Sequence, residues 1–437
     1  MQITARLKNA LSGIVAPSSP RRMTCSEAIS ATIPLMRCIL ALFFTATAVA
    51  QSGPRVQLSH TPESLRGVSA VSRQVAWASG THGTYLRTID GGITWTPAQV
   101  PAAAALDFRA VIAFSADDAF LMSAGPGDQS RIYHTSDAGQ HWQLQFTNTI
   151  PKGFFDSMAF WDPKHGVVLG DPIPDETGKL KFELLITEDG KTWRPIPPSQ
   201  LPEAVEGEGA FAASNSCIAI LSSPSVASAT VEERRFSAAS DTQKKGASAA
   251  VGSDSNIWFA TGGKVARVFH SPDRGQTWQV FDTPILHGPE SAGIFSIAFR
   301  DAEHGIIAGG DYKHPRDDGP NLAATADGGK TWTLSDLHPQ AYFSAVAYDR
   351  KVNQAAIQQK ADESAAEAAG KKIRVKPIAP ERLFIVGQDF VFDFRPPSNP
   401  RRIGGKKKQG IAFNAVSPYP EGGALIVGPK GSMASIQ

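Results

Sequence analysis

Cysteine is nearly missing from this chain, with three in 437 residues. Two of them, Cys25 and Cys38, lie in the first fifty residues; a chain cut after Ala50 keeps Cys217 alone. An intrachain disulfide framework is then excluded, and Cys217, in the strand-like run Ser-Asn-Ser-Cys217-Ile-Ala-Ile, reads as a buried structural thiol. Charge of one sign is lacking too. The 43 Lys and Arg stand against 41 Asp and Glu, which excludes the concentrated basic surface of a dedicated nucleic-acid binder. No Gly-x-Gly-x-x-Gly joins a strand to a helix, and neither Cys-x-x-Cys nor Cys-x-x-Cys-His occurs, so redox-cofactor chemistry has no support. The histidines show no ligand-like spacing.

What the chain does have is turn formers and apolar bulk. With 39 Gly, 31 Pro and 8 Trp in a chain that is 42% hydrophobic, many short strands around a large core are expected rather than disorder or a helical bundle. Near the start, residues 38–50 form an apolar run behind Arg37 that ends in Ala48-Val49-Ala50, a small-x-small cleavage site. Thirteen residues are too few to span a bilayer, which takes about 20. Residues 1–50 are therefore expected to be a leader and signal peptide cut near Ala50, and the chain to be exported, either periplasmic or secreted. No transmembrane segment is expected after removal. Loss of Arg6, Lys8, Arg21, Arg22, Arg37 and Glu27 leaves 38 basic and 40 acidic residues.

The strongest signal is an internal repeat. Thr88-Ile-Asp90-Gly-Gly92-Ile-Thr94-Trp95 recurs as Thr135-Ser-Asp137-Ala-Gly139-Gln-His141-Trp142, Ser271-Pro-Asp273-Arg-Gly275-Gln-Thr277-Trp278 and Thr325-Ala-Asp327-Gly-Gly329-Lys-Thr331-Trp332. A degenerate copy, Ile186-Thr-Glu188-Asp-Gly190-Lys-Thr192-Trp193, places Glu188 where the Asp is expected. The Trp-to-Trp steps are 47, 51, 85 and 54 residues, the longest containing an insertion. Chemically the octet is a stapled hairpin turn. Its Asp accepts from turn amides and from the Ser or Thr hydroxyl, its Gly supplies a backbone conformation that other residues resist, and its Trp packs between sheets.

These octets resemble the Asp-box (BNR) repeat of sialidases, sortilin-like receptors and the photosystem II stability/assembly factors. The resemblance implies that the octet is a structural turn of a β-propeller blade and not an active site. Strands precede each turn at propeller spacing, as in Val68-Ser-Ala-Val71 with Val75-Ala-Trp-Ala78, or Ser296-Ile-Ala-Phe299 with Gly305-Ile-Ile-Ala308. Two further units lack the octet, one from Ser344 to Phe394 and one from Ile411 to Ile436. The last lacks a fourth strand, which Arg55-Val-Gln-Leu-Ser59 supplies from the other end of the chain. The fold expected is all-β: one seven-bladed propeller of four-stranded antiparallel blades over residues 51–437, closed by strands from both termini. Residues 222–253, 351–380 and 398–410 read as insertions, the last as a basic loop with Arg401, Arg402 and Lys406 to Lys408.

In a propeller, functional groups gather at the central mouth opposite such turns. The candidates there are Arg66, Arg109, Asp156, Asp171, Glu208, Glu290, Asp311, Tyr312 and Asp389, with Asp107, Lys152, Glu206 and His287 nearby in sequence. Asp171, Asp311 and Asp389 each end a second strand, and their hard oxygens would suit calcium if any ion; no cofactor is expected. Two functions compete. Similarity to the assembly factors covers nearly the whole mature chain, including Leu65-Arg-Gly-Val and Phe108-Arg-Ala-Val, and implies a non-catalytic monomer that binds a protein or glycan ligand at the mouth. The alternative is a glycoside hydrolase, sialidase-like or other, using mouth carboxylates. It is weakened by the absence of Phe-Arg-Ile-Pro and of a third arginine to accompany Arg66 and Arg109.

Overall fold

The computed structural model describes residues 53–221, 255–336, 341–368, 381–388, 390–395, 401–404 and 412–437. The chain divides into two units, Met1–Gln51 and Ser52–Gln437, and all the described residues fall in the second. Seven antiparallel sheets follow one another. Their innermost strands are Leu65–Ala70, Asp107–Ala113, Phe155–Asp162, Ile218–Ile220, Ala292–Phe299, Phe343–Tyr348 and Ala415–Pro418. We number the blades 1 to 7 in that order.

Burial explains the strand sequences. Second strands such as Ala76–Gly80 and Ala119–Ala124 are buried throughout, because neighbouring blades cover both of their faces. Their apolar runs are accordingly continuous rather than alternating. The outermost strand Thr96–Gln99 is exposed throughout and carries Pro97, which edge strands tolerate. The core is divided among seven clusters, each shared by two adjacent blades. Trp77 and Phe108 belong to the cluster between blades 1 and 2; Leu65 and Leu425 belong to the one between blades 7 and 1.

The ring closes as the sequence predicts. The fourth strand of blade 7 is Arg55–Val56, in register with Ser435 and Ala434 of the last strand. One expectation needs correction: residues 398–410 are not simply a basic loop. Arg401–Gly404 is the fourth strand of blade 6, paired with Val391, Phe392 and Asp393, while Lys406 to Lys408 lie outside the described residues. The insertion at 351–380 begins as the helix Arg350–Ala368. Asp349 caps it through the Lys351 and Val352 amides, and Arg382 and the Gly423 amide hold the same carboxylate from blades 6 and 7. Residues 222–253, expected as a surface loop, lie outside the described residues.

The five octets are the turns between third and fourth strands. In blade 1, Asp90 accepts from the Thr88 hydroxyl at 2.8 Å and from the Thr94 amide and hydroxyl at 2.9 and 2.5 Å. The same pattern holds Asp137, Asp273 and Asp327. Blade 3 differs from the sequence reading. Asp189, not Glu188, accepts from Thr187 at 3.2 Å and from the Thr192 amide and hydroxyl at 2.8 Å. This turn is one residue shorter than the others, so the acid that staples it sits one place later. Glu188 turns outward to Arg194 at 3.2 Å.

Candidate functional site: a plugged mouth

The inner strands share an irregularity. Leu65 pairs with Gly80 and Gly67 with Ser79, which leaves Arg66 as an extra residue in a bulge. The same shift leaves Arg109 extra in blade 2, Asp156 in blade 3, Phe295 in blade 5 and Ser344 in blade 6. A bulge bends its strand and re-aims one side chain, so five blades direct an unpaired position toward the axis at the same end. The residue after each bulge is small (Gly67, Ala110, Ser157, Ser296, Ala345) because inner strands crowd at the axis. A Cβ on Gly67 would stand 2.6 Å from Ser79 Oγ and 3.0 Å from Arg109 O.

Blade 4 contributes differently. The segment that enters it, residues 210–216, makes contacts with four other blades. Ala210 donates its amide to Asp171 at 3.0 Å, Arg109 donates to Ala212 O at 3.1 Å, and Phe211 stacks on Phe295 at 3.9 Å. Ser214 donates to Ser344 O of blade 6 at 2.7 Å, and Asn215 Oδ1 accepts the Met158 amide of blade 3 at 2.6 Å. A segment that reaches blades 2, 3, 5 and 6 lies across the axis. It plugs the channel beneath the mouth.

Around this plug the structure gathers Arg66, Asp107, Arg109, Asp156 and Asp171. Arg109 donates to Asp107 at 2.8 Å and lies 5.9 Å over the Phe154 ring. Arg66 is half-buried, its Nε has no partner among the described residues, and burial with the neighbouring Arg109 charge lowers its pKa. Burial holds Asp171 up at about 6. Burial, then repulsion from Asp171, raises Asp156 well above the carboxylate range. Asp156 is 1% exposed and sealed under the plug, and its Oδ2 has no partner among the described residues. Cys217 follows the plug and is fully buried, and burial raises its thiol pKa. Tyr312 joins the mouth through Phe295, 6.1 Å away, which also meets Tyr342 edge-on at 4.7 Å.

Other candidates do not join. Glu208 turns away from the mouth and accepts from Arg267 and from Thr261 at 2.7 Å, because its strand Glu208–Gly209 pairs with Gly262 and Gly263 outside the channel. Asp311 caps its own turn through the Lys313 amide and His314, both at 2.8 Å. Glu290 is exposed in the approach to blade 5, and Asp389 lies outside the described residues. No group of three His, Cys, Asp or Glu residues among the described residues is arranged to hold a metal ion. Sequence reasoning missed Phe211, Phe295, Tyr342 and the plug itself. The one signal available was the recurrent apolar-x-small-apolar pattern at the strand starts.

Residues 48–153 match the family model described as the photosynthesis system II assembly factor YCF48. The protein is a seven-bladed propeller that resembles the YCF48 assembly factors. The solved structure of YCF48 bound to D1 peptide is 14% identical, covers 88% of this chain and 94% of its own, and superposes with a TM-score of 0.54. The WD40 propeller domain of Doa1 is 10% identical, covers 88% and 97%, and gives 0.51. At these identities the two structures establish the fold. No curated protein matches the chain. The YCF48-like match spans blades 1 and 2, the blades that carry Arg66 and Arg109. Among the described residues no helix is long and apolar enough to cross a membrane.

Proposed function

We propose that this is a non-catalytic binding propeller that holds a segment of another protein against its plugged mouth. The observation that carries the reading is Arg66, a half-buried guanidinium whose Nε has no partner among the described residues, within electrostatic reach of Arg109 and of Tyr342, whose ring packs edge-on against Phe295. Arginine and aromatic groups converging on a concave surface are what protein interfaces use as anchors. The YCF48 structure with a D1 peptide supports a polypeptide as the ligand class. Hydrolysis at this mouth is disfavoured by the placement of the carboxylates. Glycosidic cleavage uses two acids flanking the substrate bond, whereas Asp107 is paired with Arg109, Asp171 is mostly buried against the Ala210 amide of the plug, Asp156 is under the plug, Glu208 is bound to Arg267 and Asp311 is engaged in its own turn.

Titration of the purified chain with a panel of fluorescent acidic peptides tests this. Arg66→Ala is expected to weaken the best peptide by about 1.5–3 kcal/mol, the range for a charge-assisted hydrogen bond, while the melting temperature stays near wild type. Binding indifferent to both Arg66→Ala and Arg109→Ala would remove the mouth from consideration. We further propose that the protein works outside the cytoplasm, on the strength of residues 38–50. N-terminal sequencing of the native protein checks this: a start at Gln51 supports export, and an intact Met1 overturns it.

A further inference from the structure

Protonation decides the sign of the mouth. Arg66 and Arg109 bring two guanidiniums to it, and Asp107, Asp156 and Asp171 bring three carboxyl groups. Asp107 is committed to Arg109 at 2.8 Å, so these two cancel. Arg66 is then left against the two acids of blade 3. With both acids neutral the mouth is positive, with one ionised it is balanced, and with both ionised it is negative. Burial, then repulsion from Asp171, keeps Asp156 well above the carboxylate range, and Asp156 is sealed under the plug. Asp171 is half-buried, so it meets solvent at the mouth, and burial holds it up at about 6. It is the acid that changes charge.

Geometry ties that charge to the anchors. Asp171 accepts the Ala210 amide at 3.0 Å, and a Cβ on Gly209 would stand 2.9 Å from the same oxygen, so backbone packs directly on the carboxyl group. Two residues on, Arg109 donates to Ala212 O at 3.1 Å, and Phe211 between them is fixed on Phe295. Asp171 and Arg109 thus grip the same three residues of the plug. The groups around them are engaged or neutral. On the third strand of blade 3, Glu183 accepts the Asn148 side-chain amide with both oxygens, at 3.0 and 2.8 Å, and burial raises its pKa. In blade 4, Glu208 is bound to Arg267, and burial keeps the Cys217 thiol neutral. On loops at the same end of the molecule, His82 is hydrogen-bonded to Glu63 at 2.6 Å and His314 to Asp311 at 2.8 Å, each histidine pKa being raised by its acid.

We propose that Asp171 is a proton-operated gate on the mouth: neutral, it lets the mouth hold an acidic segment of a partner protein, and ionised, it drives that segment off. The inference rests on the mouth being the binding site. An anionic ligand favours the protonated acid, so affinity is greatest below about 6 and falls as pH rises past it. Repulsion between unit charges across about 10 Å, at an effective dielectric constant of about 20, changes affinity on the order of tenfold. Anisotropy titration of the purified chain with rhodamine-labelled hexa-aspartate, at about pH 5 and about pH 7.5 and one ionic strength, reads the effect, because the probe's carboxylates are largely ionised at both. Expected is a Kd on the order of tenfold higher at the higher pH, with the ratio falling to about one in Asp171→Asn. The double change His82→Gln, His314→Gln separates the gate from the two histidines and should keep the wild-type ratio; it decides alone if Asp171→Asn does not fold. A wild-type Kd independent of pH, a ratio that survives Asp171→Asn, or one that disappears with the two histidines overturns the gate and leaves the mouth in place. No binding at either pH overturns the mouth as the site, and the gate with it.

Discussion

At the scale of single residues, the mouth is a place where burial dictates protonation. Asp171 titrates near 6 rather than in the usual carboxylate range because it is mostly desolvated, with the Ala210 amide as its one compensating donor. An unfolded chain releases this proton at the ordinary value. Between the two values only the folded chain keeps the proton. Stability is therefore greatest below the ordinary value, falls as pH rises toward 6 and stays lower above it, by at most about 3 kcal/mol for such a shift. Asp156 acts in the same direction. Asp171→Asn keeps an acceptor for Ala210 but cannot ionise. Its melting temperature should exceed wild type at about pH 8 and converge with it at about pH 4. A variant less stable at every pH would show that the charged carboxylate is needed by the plug.

At the scale of elements, five turns of one design are not five copies of one sequence. A Ser or Thr, an Asp two residues later and a Thr or His four residues beyond that make the staple in blades 1, 2, 4 and 5. Blade 3 reaches the same bonding with one residue fewer by using Asp189. Linear alignment on the Trp assigned the role to Glu188, since a string comparison cannot see which carboxylate reaches the amides. Asp189→Ala should therefore lower the melting temperature, whereas Glu188→Ala should leave it within about 0.5 kcal/mol of wild-type stability, as exposed surface changes usually do. Equal losses would contradict the shortened turn. The inner-strand bulges make the same point: Leu65-Arg-Gly-Val and Phe108-Arg-Ala-Val are visible as strings, but that Arg66 and Arg109 are the extra residues appears only from their pairing partners.

At the scale of the molecule, blades 7 and 1 are joined by a shared apolar core that includes Leu65 and Leu425, by the two-residue strand Arg55–Val56, and by the side chain that follows it. Gln57, 8% exposed, accepts from the Trp95 indole and donates to Gly91 O at 3.5 Å, joining blade 7 to blade 1. Gln57→Ala leaves the indole N–H of a 3%-exposed Trp unpaired, a loss of about 1–3 kcal/mol. Urea unfolding should show it as a lower midpoint at an unchanged slope. A lower slope would mean that the ring opens in parts.

The blades, their order and the two-ended closure were determined by the sequence alone. Turn chemistry and two-face burial are local demands, and each repeat states them within about fifty residues. The mouth was not local. Arg66, Arg109, Asp156, Tyr312 and Tyr342 come from four inner-strand approaches and one blade-end turn, and only ring closure brings them together. The placement of Glu208 against Arg267 and the passage of residues 210–216 across the axis were likewise decided by the tertiary structure. Each depends on which partner a side chain finds across a distance that no repeat encodes.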